Sequence, residues 1–497
     1  MNDKLEQLKS AILAGQVPQM VLNMISYALE QRASDIHIEP SANKVRVRYR
    51  IDGVLRLVVE YPSNMHPAVV SRIKIMSNLK IDEQRIPQDG RSQVTTKDNR
   101  EMDLRISTLP TVNGEKVVMR IQDKSREIPT LVELGLTGNS LKFLQDGLKD
   151  PNGIILTSGP TGSGKTTTLY SCLNILNKMD VNILTIEDPV EIEMEGLNQS
   201  QVHPDIDYTF ATGLRSALRQ DPDIVMVGAI RDHETINVAI EASLTGHLVL
   251  STIHTNSATE TLTRIINMGV QPFLMASTIN TIIAQRLVRK LCDQCKKQIS
   301  IEQVKQNDPD LYDNIMMAFK SIPASEKANY PELAATITVI YEPVGCAACD
   351  NVGYHGRFGL YEVMDINNTI REAILVEKTS LQIQELAQEE GMITLEQAGL
   401  IKMALGETSM EEVYRVARRS SQETGKHMEE EHTEMHIDAP VVASSQAPVS
   451  PIAASQAPVS PIASFAAGAP VSPPPAPPVP STLEITLPEN SQASSPQ

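Results

Sequence analysis

The chain has no tryptophan, and aromatic residues make up only 3% of it. Its core must therefore be built from Ile, Leu, Val and Met, and it offers no basic aromatic groove on which single-stranded nucleic acid would stack. No uncharged run long enough to span a bilayer is free of repeated prolines, which argues against a transmembrane segment. Met1-Asn-Asp-Lys opens a charged amphipathic stretch where a secretory leader would need an apolar one. Cysteine is sparse, at five residues. Four of them fall in two C-x-x-C pairs, which suits a reducing compartment and a metal better than disulfides. Lys and Arg are absent from 427–497, where seven acids stand (Glu429, Glu430, Glu431, Glu434, Asp438, Glu484, Glu489); taking that −7 from the net −17 leaves −10 for the rest. That balance speaks against a nucleic-acid-coating protein. A soluble cytoplasmic protein is expected, and 497 residues suffice for two or three domains.

What is present is organised around Gly159-Pro160-Thr161-Gly162-Ser163-Gly164-Lys165-Thr166, a complete G-x-x-x-x-G-K-[ST] phosphate loop. The residues before it, 153–158, read as a buried strand, and those from Thr167 to Leu176 as a helix, which is the context the motif requires. Glycines let backbone N–H groups turn inward around the β-phosphate, and the helix N-terminus adds partial positive charge. Lys165 is placed to reach the β/γ oxygens, and Thr166 to offer its hydroxyl to Mg²⁺. The chain is expected to bind a nucleoside triphosphate.

Ahead of the loop, residues 3–33 show helical periodicity, with Pro18 separating two helices. Val45-Arg-Val-Arg-Tyr-Arg-Ile51 alternates strictly, and Asp52-Gly53 makes a hairpin turn. His37 reads as a surface or hydrogen-bonded residue, not a ligand. Arg91, Arg105 and Arg120 lie on further strands, either as a solvated face or as groups that reach a phosphate site. Residues 1–125 read as a small α+β domain and Asp123–Pro129 as a linker.

From Gly135 onward strands and helices alternate, as a parallel α/β sheet requires. One apolar strand ends in Glu187-Asp188, where such sheets place chemistry. Another, 221–228, is followed by Ala229. A third, 246–255, carries His247 and His254 too far apart to share a metal; His254 is the better candidate for sensing a γ-phosphate. Cys292-x-x-Cys295 and Cys346-x-x-Cys349 match a tetrahedral Zn²⁺ site, with an iron–sulfur centre as the minority alternative. Cys172 reads as a small core residue. Residues 366–418 look helical, with Thr408-x-x-Glu411 and Ser409-x-x-Glu412 fitting capping boxes. Beyond Ser420 order is expected to fail. His432 and His436 sit in an acidic run, Ser445–Ala453 repeats verbatim at Ser455–Ala463, and fourteen of the 31 prolines follow Asp438.

From Ala33 to Val416 the chain resembles the type II secretion/type IV pilus assembly ATPases. The matching stretches are Ala33-Ser-Asp-Ile-His-Ile-Glu-Pro40, Gly159–Thr166, Ile186-Glu-Asp-Pro-Val-Glu191, Leu218-Arg-Gln-Asp-Pro-Asp223, Thr245–Thr252 with His254-Thr-Asn256, and Gly353-Tyr-His-Gly-Arg357. The resemblance implies an α/β fold: a RecA-like ATPase domain over 130–420, containing the four-cysteine zinc module at 285–365, preceded by the small α+β domain and followed by a disordered tail over 421–497. It implies ATP, Mg²⁺ and Zn²⁺ as cofactors, with Gly159–Thr167 holding the nucleotide. Arg91, Arg105, Arg215 and Arg219 would reach the phosphates. A cytoplasmic homo-hexamer pressed on an inner-membrane platform protein is implied as well. The cysteine module resembles the secretion and pilus-extension branch, whose members usually carry a further N-terminal domain for which this chain starts too close to the phosphate loop. Where the family has Gly-Glu-Ile-Arg-Asp, this chain has Gly228-Ala229-Ile-Arg-Asp232. The missing glutamate is expected to activate water, and a methyl group cannot. Hydrolysis is therefore expected to be impaired, with Glu187 as the remaining acid. The alternative is a non-hydrolysing structural or regulatory subunit of such a ring.

Overall fold

The computed structural model describes residues 3–95, 101–123, 127–333 and 337–417. Helices α1 (Asp3–Leu13) and α2 (Val17–Glu30) come first. The break between them falls at Gly15, whose φ is +66°. Pro18 does not separate the helices. It sits in the first turn of α2, where its missing N–H leaves no hydrogen bond unmade. Strands β1 (Asp35–Pro40), β2 (Lys44–Ile51) and β3 (Val54–Pro62), helix α3 (His66–Met76), and strands β4 (Gln88–Thr95), β5 (Glu101–Thr111) and β6 (Gly114–Asp123) follow. The strands form an antiparallel sheet in the order β3-β2-β1-β6-β5-β4.

Alternation decides the two faces of this sheet. Ile36, Ile38, Val45, Val47 and Tyr49 are fully buried against Met20 and Met24 of α2, and the Tyr49 hydroxyl donates to Met24 O at 2.7 Å. The other face carries a charged row, since Arg50, Asp35, Arg120, Arg105 and Arg91 stand directly opposite one another across five strands. Asp35 binds Arg120 at 2.9 Å and Arg50 at 3.4 Å. His37 differs from expectation. Its ring is largely covered and lies 4.0 Å from the Glu39 carboxylate, with neither nitrogen hydrogen-bonded among the described residues, and burial, then Lys116 and Arg50, hold its pKa below the usual value.

The second sheet is built from helix α4 (Gly138–Gly147), β7 (Gly153–Ser158), α5 (Lys165–Leu176), β8 (Ile183–Glu187), β9 (Asn198–Gln201), α6 (Phe210–Ala217), β10 (Ile224–Val227), α7 (His233–Leu244), β11 (Leu248–Ile253), α8 (Ala258–Asn267), α9 (Pro272–Thr278) and β12 (Ile279–Leu291). A two-stranded antiparallel sheet with three helices between its strands is inserted next: β13 (Lys297–Ser300), α10 (Ile301–Asn307), α11 (Pro309–Lys320), α12 (Ala324–Lys327) and β14 (Val339–Glu342). Strand β15 (Tyr354–Asp365) returns to the sheet, and α13 (Asn368–Leu375), α14 (Ser380–Glu389), α15 (Leu395–Ala404) and α16 (Met410–Ala417) end the described chain.

The strand order is β15-β12-β7-β11-β10-β8-β9, parallel except for the edge strand β15. Strands β7, β10 and β11 are buried on both faces, which is why they read as continuous apolar runs. One face packs on α4 and α5 through Leu144, Leu169, Cys172 and Leu173; burial pushes the Cys172 thiol up to about 12, consistent with an inert core residue. The other packs on α7, α8 and α9 through Ile236, Ala239, Leu262 and Met275. All of these elements belong to one compact unit, Met1–Thr433. Part of the expected linker (124–126), and the segment with His432, His436 and the proline-rich repeats, lie outside the described residues. Among the described residues no helix is long and apolar enough to cross a membrane.

Candidate functional site

After Ser158 the chain leaves β7 and turns through Gly159 (φ +144°), Gly162 (φ +78°) and Gly164 (φ +90°), conformations that favour glycine. Gly164 caps α5 without a side-chain bond, so the first amides of the helix are left for a ligand. The helix begins at Lys165, two residues earlier than the sequence pattern suggested. Pro160, Thr161 and Gly162 are exposed, Thr166 and Thr167 half-buried, and Ser163 and Lys165 buried. Lys165 Nζ folds back across the loop to donate to Gly159 O at 2.9 Å and Pro160 O at 3.1 Å. Burial, and then the neighbouring Arg286 guanidinium, push its pKa down to about 8.

Beside the loop lies a cavity of about 60 Å³ lined by Thr166, Glu187, Asp188, Ala229, Arg231 and Thr252, among others. Glu187 ends β8 and is buried; it accepts hydrogen bonds from the Tyr170 hydroxyl, from Thr185 Oγ1 at 2.6 Å and from Gln199 Nε2 at 3.1 Å. The backbone around Ala229 is fixed by three bonds: Gly228 N donates to Ile186 O, Thr252 Oγ1 to Gly228 O and Ile230 N to Thr252 O, each at 2.8 Å. Burial, with Lys165 and Arg231 close by, lowers the pKa of His254 and favours a neutral imidazole beside the loop.

The four expected arginines divide. Arg105 comes near Glu191, which lines the same cavity: burial raises the Glu191 pKa and Arg105 opposes that rise. Arg91 faces Arg105 across the strand pair but is itself exposed. Arg215 pairs with Glu234 at 2.7 Å, and Arg219 donates to Arg215 O at 2.9 Å; neither lines the cavity. The sequence reading missed Tyr170, Gln285 and Arg286. Arg286 donates to Asn256 O and Oδ1, both at 3.1 Å. The signal for this pair was a strand whose apolar stretch, Ile282–Ala284, gives way to two polar residues in mid-strand.

The cysteine centre hangs from the sheet, with Cys292 directly after β12 and Cys349 shortly before β15. All four sulfurs lie within 4.8 Å of one another, with separations of 3.9 Å (Cys292–Cys346), 3.7 Å (Cys295–Cys349) and 3.8 Å (Cys346–Cys349). A tetrahedral Zn²⁺ with bonds of about 2.3 Å demands edges of about 3.8 Å. The backbone amides of Cys346 and Gly353 donate to Cys349 Sγ, both at 3.2 Å, and that of Gly345 to Cys295 Sγ at 3.3 Å. Burial alone would raise the Cys349 thiol, but the Cys346 and Gly353 amides, and then the neighbouring Cys295 and Cys346 thiols, bring it down to about 6. The residues present fit a closed, all-thiolate structural metal site.

A parallel sheet with a glycine-rich loop at the end of a central strand and a helix opening on Lys165 defines an α/β ATPase fold. The crystal structure of the pilus retraction motor PilT with bound ADP is similar, with a TM-score of 0.52 and 26% identity over 80% of this chain and 96% of that one. The type II/IV secretion system protein family model matches residues 12–415, and the chain belongs to that family. It is 44% identical over 411 residues to the type IV pilus assembly ATPase PilB of Myxococcus xanthus, covering 83% of this chain and 69% of the relative. It is 42% identical over 413 residues to the type II secretion system protein E of Aeromonas hydrophila, covering 83% and 78%. Across the pilus-assembly relatives it matches, the chain spans 64–70% of their length.

Proposed function

We propose that this chain is an ATP-binding subunit of a motor that powers assembly of a type IV pilus or type II secretion filament, slowed at the hydrolytic step. The observation that carries this reading is the phosphate loop: three glycines at positive φ and a buried Lys165 at the C-terminal end of β7, in a member of this family. In this reading residues 1–125 are an arginine-bearing domain, and 130–420 a RecA-like ATPase domain. Six copies form a ring, cytoplasmic and docked on an inner-membrane platform protein. Residues Gly159–Thr167 hold the phosphates, and Lys165 exchanges its two carbonyl partners for phosphate oxygens. Thr166 would hold Mg²⁺ through its hydroxyl, and the ion would supply positive charge to the β/γ-phosphate oxygens. Neutral His254 reads the γ-phosphate. Arg105, with Arg91 behind it, approaches from the small domain, while Arg215 and Arg219 face a neighbouring copy. The four cysteines hold Zn²⁺, which stiffens the inserted module.

The hydrolytic water lacks its usual partner, because Ala229 carries a methyl group where an acid would accept the proton. Of the acids at the cavity, Glu187 is the one we propose as the residual activator of water, and it is already engaged by three donors. A second reading follows from that same vacancy of chemistry: a subunit that binds nucleotide and holds the ring together without turnover. Steady-state hydrolysis measured beside nucleotide affinity, on this chain and on Ala229→Glu, separates them. Tight binding with a large gain in rate on restoring the acid supports a motor stalled at one residue. No gain over a near-zero rate removes that reading and leaves the non-hydrolysing subunit. Failure to bind ATP at all removes both.

A further inference from the structure

Strand β12 does not stop where its neighbour stops. It runs parallel to β7 with Ile283 opposite Thr157 and Ala284 opposite Ser158. At the next position β7 has become the phosphate loop, while β12 continues as Gln285, fully buried. Gln285 therefore lies under the loop, and two of the loop's glycines are shaped to it. A Cβ on Gly159 would meet Gln285 O at 2.6 Å, and one on Gly164 would meet Gln285 Nε2 at 3.2 Å. The side-chain amide donates to the Ser163 carbonyl at 2.6 Å. That carbonyl belongs to the peptide unit whose N–H, on Gly164, opens the last turn before the helix. Tying the oxygen down from below points that N–H toward the loop's concave side, because the peptide is planar and its two groups are opposed. The other amide atom, Gln285 Oε1, and Ser163 Oγ are buried with no partner among the described residues. A buried amide with one unused oxygen, pressed against two glycines, is an expensive way to fill space, since an apolar side chain of the same size would leave nothing unsatisfied.

We infer that Gln285 is a positioning residue of the nucleotide site: its Nε2–H···O=C bond to Ser163 holds the phosphate loop in the cupped form that binds the β-phosphate. This rests on the nucleotide-binding reading above. It acts through the loop backbone and touches no phosphate itself. Neighbouring Arg286 ties the same strand to Asn256, beyond His254, so β12 braces both loops that flank the γ-phosphate position.

The test is fluorescence titration of the full chain with a labelled ADP and Mg²⁺, for the parent, Lys165→Ala, Gln285→Met and Gln285→Glu, with a thermal melt of each in the absence of nucleotide. Gln285→Met keeps length and volume but has no donor. It is expected to bind about tenfold more weakly with its melting midpoint near the parent's, the size of one hydrogen bond's loss. Gln285→Glu, which sets an acceptor against the Ser163 carbonyl, is expected to bind more weakly still. A role limited to filling space predicts parent-like affinity for Gln285→Met, and that result overturns the inference. If Gln285→Met melts early, Gln285→Glu carries the decision: parent-like affinity there also overturns it. A parent that binds no ADP, or binds it unchanged with Lys165→Ala, overturns the nucleotide reading as well. Binding that is lost with Lys165→Ala but kept with Gln285→Met sinks the positioning role alone.

Discussion

The hydroxyl of Tyr170, on the helix that leaves the phosphate loop, donates to the carboxylate of Glu187 at the end of β8. The same hydroxyl accepts from the Glu191 amide at 3.2 Å. The first turn of the loop after β8 is thereby bound to the helix that a nucleotide would contact, and Glu187 is oriented more than it is free.

Ala229→Glu is expected to raise steady-state ATP turnover about 10²–10⁴-fold, with nucleotide affinity changed no more than a few-fold. The site is prepared for it: the flanking backbone is tied to Ile186 and Thr252, and the methyl group already borders the cavity beside Thr166. Comparable turnover in both proteins would assign the water to another acid, and Glu187→Gln would then abolish the rate.

Nucleotide affinity is expected to weaken as pH rises through 8. The Lys165 pKa is pushed down to about 8 in the free protein, by burial and then by Arg286. Phosphate favours the ammonium form, so below pH 7 the lysine enters the complex already charged. Above pH 8 it must first take up a proton, and affinity falls up to about tenfold per pH unit. Titrations from pH 6.5 to 9.5 in two buffers of different ionisation enthalpy check both the slope and the proton uptake. A flat profile excludes a depressed Lys165.

Purified protein is expected to contain about one zinc per chain, lost in a Cys292→Ser/Cys346→Ser double variant together with a lowered melting midpoint. The four sulfurs are already at the spacing the ion demands. Metal-free protein with four titratable thiols and an unchanged melt would rule the site out.

Glu412 is fully buried and accepts from Arg289 Nη2 at 2.6 Å, from the Arg289 amide at 2.9 Å and from Arg415 Nη2 at 2.8 Å. Burial alone would raise its pKa, but Arg415 and Arg289 outweigh it and hold the carboxyl at about 2. The unfolded chain binds this proton near pH 4.3, the folded one only near 2. The stabilisation is therefore complete above about pH 4.3 and disappears as pH falls toward 2. Glu412→Ala is expected to cost about 3–5 kcal/mol at neutral pH, because it strands a buried guanidinium. Urea unfolding of parent and variant at pH 7 and pH 3 should show the gap narrowing in acid.

Much of this was legible beforehand, for identifiable reasons. Strict alternation gave β2 its faces, and a doubly buried parallel strand cannot avoid reading as an apolar run, as β7, β10 and β11 do. The phosphate loop declares itself because glycine spacing is a backbone requirement. Gln285, Tyr170 and Arg286 escaped because their partners are 122, 17 and 30 positions away in the chain, and no local pattern reports a contact made by sheet topology. The capping box at Ser409-x-x-Glu412 formed only in half. Ser409 Oγ accepts from the Glu412 amide at 3.3 Å, but the glutamate turns away to the arginines, since a buried charge wins a longer reach than a helix cap does.

Strand β12 is thirteen residues long, about 40 Å at the usual rise, and its middle and its C-terminal end have different owners: the phosphate loop at Gln285 and the cysteine cluster after Leu291. Mechanically it is a strut, laddered to β7 on one flank and β15 on the other. Its single compliant point against β15 is the register shift between Arg289 and Leu291. A load applied to the cysteine cluster would meet that joint first, outside the Arg289–Glu412 clasp, before it could reach Gln285. Stiffening that joint would turn an insulated appendage into a handle on the nucleotide site.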